Sequence, residues 1–594
     1  MERNPLPLSS LEYQLLPEGS DFIRLIRLPP RASSQPSGDD APVVQCDLII
    51  TPRASCPPYT AISYSWGRNE TNSILVNDGQ FHRVSNTIEQ VLRQLQPKGD
   101  ASSFFWLDQL CINQQDGAEK SEQAQQMRNI YSEAAVVVVW LGPAADGSDT
   151  LLKHIQSVVH ARRTNNHGAI FLAHYNTQRL LEITRSFRTL CERECWTRLW
   201  VMQEYAMGKN LRIACGNFII QASDLDICMI RPYFTPANSF MEGVLLRRSR
   251  YARRQYRPQR LYKVLIATLT MEDDYNQPLT SDPRDRIFSL LYLACDAEDF
   301  VSMIDHSNSC DDIYREVALA VLKQGHIGLL SYSQFPKESP NLPSWDPDWR
   351  SHIRAPFDRI WQGGFRTFQY LGPKRDLQVS SSDGHTIALT GLIVDKITEF
   401  GSAWNPDWLS PLDITQVRRF LDELSNLCVR SRSCSTSEQR ETVTACTCIR
   451  TPYQTEEDSR GTTLKPIDAV QGLRLLVDAI QDGRGFPSGL ADARMATYTT
   501  SFSGRLHLLH SRMPFLSESA YVGLGPSNAE HGDMVYMFGG TKVPYAIRPL
   551  PDDSGAFSLV SDAYAYGLMH GEITGDDATV RRVETAIIPR YSSG

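Results

Sequence analysis

AVVVVWLG, residues 135–142, is the run on which the reading of the N-terminal third of this chain turns. Four consecutive valines followed by Trp140 and Leu141 leave no polar face. A strand with one wet face alternates, whereas one covered on both faces of a parallel sheet does not, so the run reads as a central strand of an α/β sheet. Working upstream, FFWLDQLCI (104–112) reads as a second central strand. Between the two, Asp116 and Glu119 form a capping-box start to a helix whose apolar stripe is Ala124, Met127, Ile130 and Tyr131. YTAISYSWG (59–67) lacks a clean polar face and suits a third covered strand. VVQCDLIITP (43–52) and Ser73 to Val76 read as further strands, and Asn86 is placed to cap TIEQVLRQL, where Ile88, Val91, Leu92 and Leu95 share one face. Strand and helix in alternation predict an α/β domain with a small, mostly parallel sheet and flanking helices.

Beyond that sheet the pattern predicts helices from Leu151 to about 162 and from Thr177 to Cys191, then strand-like NLRIACGNFII (210–220). The expected layout is an N-terminal segment at 1–42, the α/β domain at 43–220, a mainly helical region at 221–335, a mixed region at 336–430, a polar insertion unable to bury a core at 431–464, and a C-terminal helix with a β-rich module at 465–594. Asp282 before Pro283 marks a helix entrance with first-turn charges Arg284, Asp285 and Arg286, ahead of IFSLLYLA.

At 594 residues the chain is expected to hold about two to four domains. A net charge of −8 argues against general nucleic-acid binding through phosphate attraction. The longest apolar runs are too short to span a bilayer and the N-terminus has no signal-like apolar core, so a soluble, cytoplasmic protein is expected. Thirteen cysteines without a CxxC pair suggest neither a disulfide framework nor a zinc site, so no metal is expected; Cys191 and Cys195 fall on one predicted helix face. No HExxH, GxSxG or Walker loop occurs, and VGLGPSN (522–528) lacks the third glycine of a dinucleotide loop and reads as a turn.

Two acids stand out. Glu204 lies in TRLWVMQEYAMG, an apolar helix stopped by Gly208, so its carboxylate is expected to be buried near the helix C-terminus, where the macrodipole disfavours it. Arg198, six positions earlier, does not share its face; a salt bridge to Lys209 or to an arginine elsewhere is one reading, a raised pKa at a functional site the other. Asp108 interrupts FFWLDQLCI and, with Gln109, Asn113 and Gln114, places polar groups at the strand's C-terminal end, where open α/β sheets bind ligands. Capping the next loop is its alternative role. Trp66 and Trp106 are either walls for a planar ligand or core.

YTAISYSWG, the run from FWLDQLCINQQD to VVVVWLG, and ECWTRLWVMQE (194–204), in this order and spacing, resemble the fungal heterokaryon incompatibility (HET) domain. SDPRDRIFSLLYLA, LPSWDPDWR and GDMVYMFGGTKVPYAIRP extend the likeness toward the class of HET proteins without NACHT or repeat domains. The resemblance implies a distantly TIR-like fold and a role in non-self recognition, with growth arrest or cell death as output and other incompatibility proteins or self-association as partners. Some TIR domains hydrolyse NAD with a helix-borne Glu, so NAD is implied as a substrate rather than a cofactor. On that basis Glu204 and Asp108 are the catalytic candidates, and Ser65, Trp66, Gly67, Trp106, Asn113, Gln114, Arg198, Trp200 and Gln203 the ligand-binding ones. A non-catalytic adaptor acting by protein contact, or a relative with no incompatibility role, are the alternatives.

Overall fold

The computed structural model describes residues 11–17, 21–30, 43–67, 72–77, 80–97, 101–164, 177–229, 259–271, 280–303, 305, 307–357, 379, 381, 384–406, 413–449, 466–481, 506, 509–551, 555–569 and 581–587. The chain divides into two compact units, one of residues 1–268 with 276–308, the other of 269–275 with 309–594. The region expected to be a separate helical middle is therefore shared between them.

The first unit is built on a sheet of β1 (Phe22–Leu28), β2 (Gln45–Pro52), β3 (Thr60–Ser63), β4 (Asn72–Val76), β5 (Gln80–Val84), β6 (Ser103–Trp106), β7 (Val136–Trp140), β8 (Leu211–Cys215) and β9 (Phe218–Gln221). Its order is β5-β4-β2-β1-β6-β3-β7-β8-β9. The middle is parallel: Thr60 pairs with Phe105 of β6 and Val136 of β7, and Val137 of β7 with Leu211 of β8. Taken in chain order, those four strands follow a 2-1-3-4 arrangement, the doubly wound order of flavodoxin-type sheets. The valines of β7 are buried on this sheet after Val136, as their lack of alternation predicts. β1, expected outside the domain, instead fills the slot between β2 and β6.

The helices of this unit are α1 (Asn86–Leu95), α2 (Asp108–Cys111), α3 (Gly117–Glu133), α4 (Ser148–Arg163), α5 (Thr177–Cys191), α6 (Val201–Met207), α7 (Ala222–Met229), α8 (Leu261–Leu269) and α9 (Asp285–Leu291). Ser85, not Asn86, caps α1, its side chain accepting from Ile88 N at 3.3 Å. Asp116 caps α3 as predicted, accepting from Ala118 N and Glu119 N. Glu119 does not close the capping box: it turns to the buried Arg24 of β1, accepting from Nη2 at 2.9 Å, and takes Asn113 N at 2.7 Å. FFWLDQLCI is not one strand, because the chain leaves β6 at Trp106 and begins α2 at Asp108. α5 ends at Cys191, and Cys195 lies in a following 3-10 turn, so the two thiols do not share a helix face.

The second unit contains β10 (Thr270–Met271), α10 (Cys310–Lys323), β11 (Ile353–Arg354), β12 (Ile387–Phe400), α11 (Ile414–Val429), α12 (Ser437–Ile449), α13 (Pro466–Gln481), β13 (Arg512–Ser517), β14 (Val522–Pro526), β15 (Met534–Phe538), β16 (Tyr545–Pro549), β17 (Phe557–Asp562), β18 (Tyr564–Ala565) and β19 (Arg581–Ile587). β12, β15, β16, β17 and β19 pair in a closed ring, a small barrel. The long β12 bulges near Asp395 and runs on to pair with β13 through Ile397 to Phe400. VGLGPSN is not simply a turn: its first five residues are β14. The stretch expected to be too polar for a core contains α12, which buries Val443, Ala445, Cys446 and Cys448; residues 450–464 lie outside the described ones. The described cysteines are free, and among the described residues no helix is long and apolar enough to cross a membrane.

Candidate functional site

Outside the C-terminal ends of β3 and β6, the first unit carries a half-open cavity of about 510 Å³. That is within the range of small-molecule sites. Three sequence-distant runs meet on it: Ser65, Trp66 and Gly67 after β3; Asp108 and Gln114 around α2; Arg198 and Trp200 ahead of α6. It opens on the β6 side of the place where the chain, having gone from β3 to β6, crosses back to β7, the topological setting in which open α/β sheets hold ligands. Gly67 turns the chain away from β3 with a φ of +75°, a conformation that side chains with a Cβ rarely adopt.

Asp108 is nearly buried and fully engaged. Its Oδ2 accepts from the Trp66 indole at 2.8 Å and its Oδ1 from Gln109 N at 2.8 Å. Arg198 Nη2 lies 3.8 Å from the same Oδ2, while Nη1 donates to the Tyr64 carbonyl. The guanidinium also sits over the Trp66 ring, 5.9 Å from its centroid, so indole, carboxylate and arginine form one array. Gln114 Nε2 donates to the Asp108 carbonyl at 2.9 Å, which ties the α2–α3 connection to the same corner. Asp108 therefore does both things its position suggested: it braces the start of α2 and presents to the cavity.

Glu204 is placed differently from expectation. α6 is only seven residues long and Glu204 is its fourth, its N–H bonding Trp200 O, so it stands in the first turn and not against the negative end of the dipole. It is 1 % exposed and does not line the cavity. Burial raises its pKa to about 7; Arg198 pulls it down, Asp108 pushes it up, and the Ser63 and Tyr131 hydroxyls pull it down. Neither hydroxyl closes a hydrogen bond of normal geometry to Oε2, which has no partner among the described residues. Arg198, dismissed on helical-face grounds, is its main compensating charge, because residues 198–200 precede the helix and are free of its periodicity. Ser63 Oγ, Tyr64 Oη and both polar ends of Gln203 are likewise buried without partners among the described residues. Buried polar groups without partners are rare in native structures, and a catalytic role is among the explanations for them.

The other sequence candidates divide. Trp106 is core, edge-on to Tyr131 with centroids 5.5 Å apart, and Gln203 is fully buried. Asn113 is used locally, its Oδ1 accepting from Gln115 N at 3.1 Å. None of these three lines the cavity. Sequence reasoning missed Lys120 and Met127 of α3, Glu194, and the run Thr280, Ser281, Asp282 and Asp285, all of which line it. The helix entrance at SDPRDR was legible, but nothing in its local pattern tells which tertiary neighbour it meets. Asp285 is half-buried; burial raises its pKa to about 6, the Trp200 indole lowers it, Asp282 raises it, and Lys120 and Arg198 lower it. Among the described residues no cluster of three or more metal-ligating side chains occurs.

Residues 59–204 match the family model described as heterokaryon incompatibility protein (HET), and residues 491–582 match the Het-6 beta-barrel domain. The chain is 25 % identical over 670 aligned positions to heterokaryon incompatibility protein 6, OR allele, of Neurospora crassa, covering 95 % of this chain and 96 % of that one. No solved structure matches.

Proposed function

We propose that this chain, a HET-domain protein that also carries a Het-6 β-barrel, acts in heterokaryon incompatibility and exerts its effect by cleaving NAD in the cavity over β3 and β6. The observation that carries this reading is the convergence of Trp66, Asp108, Arg198 and Trp200, from three distant segments, on one ligand-sized space. Indole faces suit a planar base, and Arg198 with Lys120 supplies the positive charge a pyrophosphate needs. Breaking the bond between nicotinamide and ribose builds positive charge on the sugar, which a nearby fixed carboxylate stabilises. Asp108 is that carboxylate in this reading. Glu204, beneath, balances Arg198 and so acts as a positioning residue. The 2-1-3-4 strand order agrees with a TIR-like relationship, and the output expected of such turnover is growth arrest or cell death.

The test is nicotinamide release from NAD by the purified full-length chain, with Asp108→Asn alongside. Release from the wild type, lowered about 100-fold or more in the variant, is the expected result. No release, even at protein concentrations that drive self-association, would sink the catalytic reading. One observation favours a second reading, an adaptor that works through contact with other incompatibility proteins or with itself: the helix-borne acid Glu204 is sealed off. Under it, growth arrest on overexpression would survive Asp108→Asn.

A further inference from the structure

The cavity carries four carboxylates, Asp108, Glu194, Asp282 and Asp285, and they are not equivalent. Asp108 is held as an ionised, fixed group by Trp66, Gln109 N and Arg198, which suits it to stabilise charge and not to take a proton. Asp282 is clamped by Arg284, whose Nε lies 2.9 Å from Oδ1 and whose Nη2 lies 2.6 Å from Oδ2, and it also accepts from Arg284 N at 3.0 Å. Glu194 is exposed, so water screens it. Asp285 alone of the four is half-buried and in no ion pair among the described residues. It is also rigidly mounted. It opens α9, whose Ile287, Phe288, Leu290 and Leu291 are buried, and α9 packs on α6, the helix that carries Glu204.

We propose that the 280–285 segment, from beyond the matched HET run, completes the site, and that Asp285 is the base that takes the proton of the attacking water. This rests on the reading of the cavity as an NAD-cleaving site. Water adds to the ribose C1′ while the C1′–N bond breaks, its electron pair passing to the pyridinium nitrogen. Neutral nicotinamide leaves, ADP-ribose remains, and the water's proton passes to Asp285 and on to solvent. The groups that face Asp285 are Asp282 on its own loop, Lys120 of α3, and Arg198 and the Trp200 indole ahead of α6. The carboxylate must be ionised to act, so the reaction loses rate as pH falls through about 6.

The experiment uses the full-length chain as wild type, Asp285→Asn and Asp285→Glu. It reads nicotinamide release against pH, ADP-ribose affinity by calorimetry, and thermal melting. Asp285→Asn is expected to lower kcat about 10²- to 10⁴-fold with ADP-ribose affinity within about tenfold, and to lose the acid limb of the profile. Asp285→Glu should recover part of the rate. If Asp285→Asn retains the wild-type rate and acid limb, or if its loss follows melting and Asp285→Glu rescues nothing, the assignment to Asp285 falls while NAD cleavage stands. If the wild type releases no nicotinamide, the NAD reading falls and takes this one with it.

Discussion

Glu204→Gln should change how stability depends on pH, independently of any reaction. The fold holds the Glu204 carboxyl with a pKa of about 7, against 4.5 for the ordinary group, chiefly because it is buried. A folded value above the unfolded one means that the protonated side chain suits the fold and the ionised one does not. The contribution is therefore whole below pH 4.5, is eroded as pH rises toward 7, and is constant above that. At about 1.4 kcal/mol per pH unit, the erosion comes to roughly 3 kcal/mol. Glutamine has the same shape and never ionises, so the variant escapes it. Urea unfolding of both proteins from pH 4.5 to 8 should show the stability of Glu204→Gln relative to wild type climbing by about 3 kcal/mol and then levelling. Every other titrating group, Asp285 included, is common to the pair and cancels. A difference constant to within about 0.5 kcal/mol over that window would overturn this expectation and mean that Arg198 fully compensates the buried charge.

Two further outcomes follow from packing. Arg24→Met leaves Glu119 charged and buried, and should cost about 3–5 kcal/mol in urea unfolding, with most of it regained in the double variant Arg24→Met/Glu119→Met; additive losses would show that the pair is not coupled. Gly523→Ala places a Cβ 2.1 Å from the Tyr564 carbonyl and 2.5 Å from Phe515 Cζ, so it should part β14 from β18 and cost about 1–3 kcal/mol; an unchanged melting temperature would show that β14 can shift freely.

What the sequence made legible were features decided by near neighbours. The β-branched run of β7, the stripe of α3 and the Asp116 cap each depend on residues within a few positions, and each is found in place. Asp108 and Trp66 were legible for the same reason, as polar and aromatic groups at a strand end. Local pattern failed where a partner lies far away. The capping box reads as complete until Arg24, 95 residues away in β1, claims Glu119. Helical periodicity excluded Arg198 from Glu204 because it extended α6 three residues too far back. Composition misjudged 437–449 because the helix is buried all round from Val443 to Cys448, Thr444 and Thr447 included, where it packs on α11 and α13.

β1 is made before every other part of this sheet, yet it can be locked in place only after residues 103–106 have emerged to become its second neighbour. It is held by backbone pairing on both sides, by the buried side chains of Ile23, Leu25, Ile26 and Leu28, and by tethers that include Arg24 to Glu119 and to the Cys111 carbonyl and Gln123 to the Phe22 carbonyl. Taken away, it would leave β2 and β6 as two raw edges facing one gap, with the shape of one strand. The link between β1 and β2 is thus a seam: a chain split there would yield a peptide and a receptor, and the cavity over β3 and β6 could be assembled by adding one to the other.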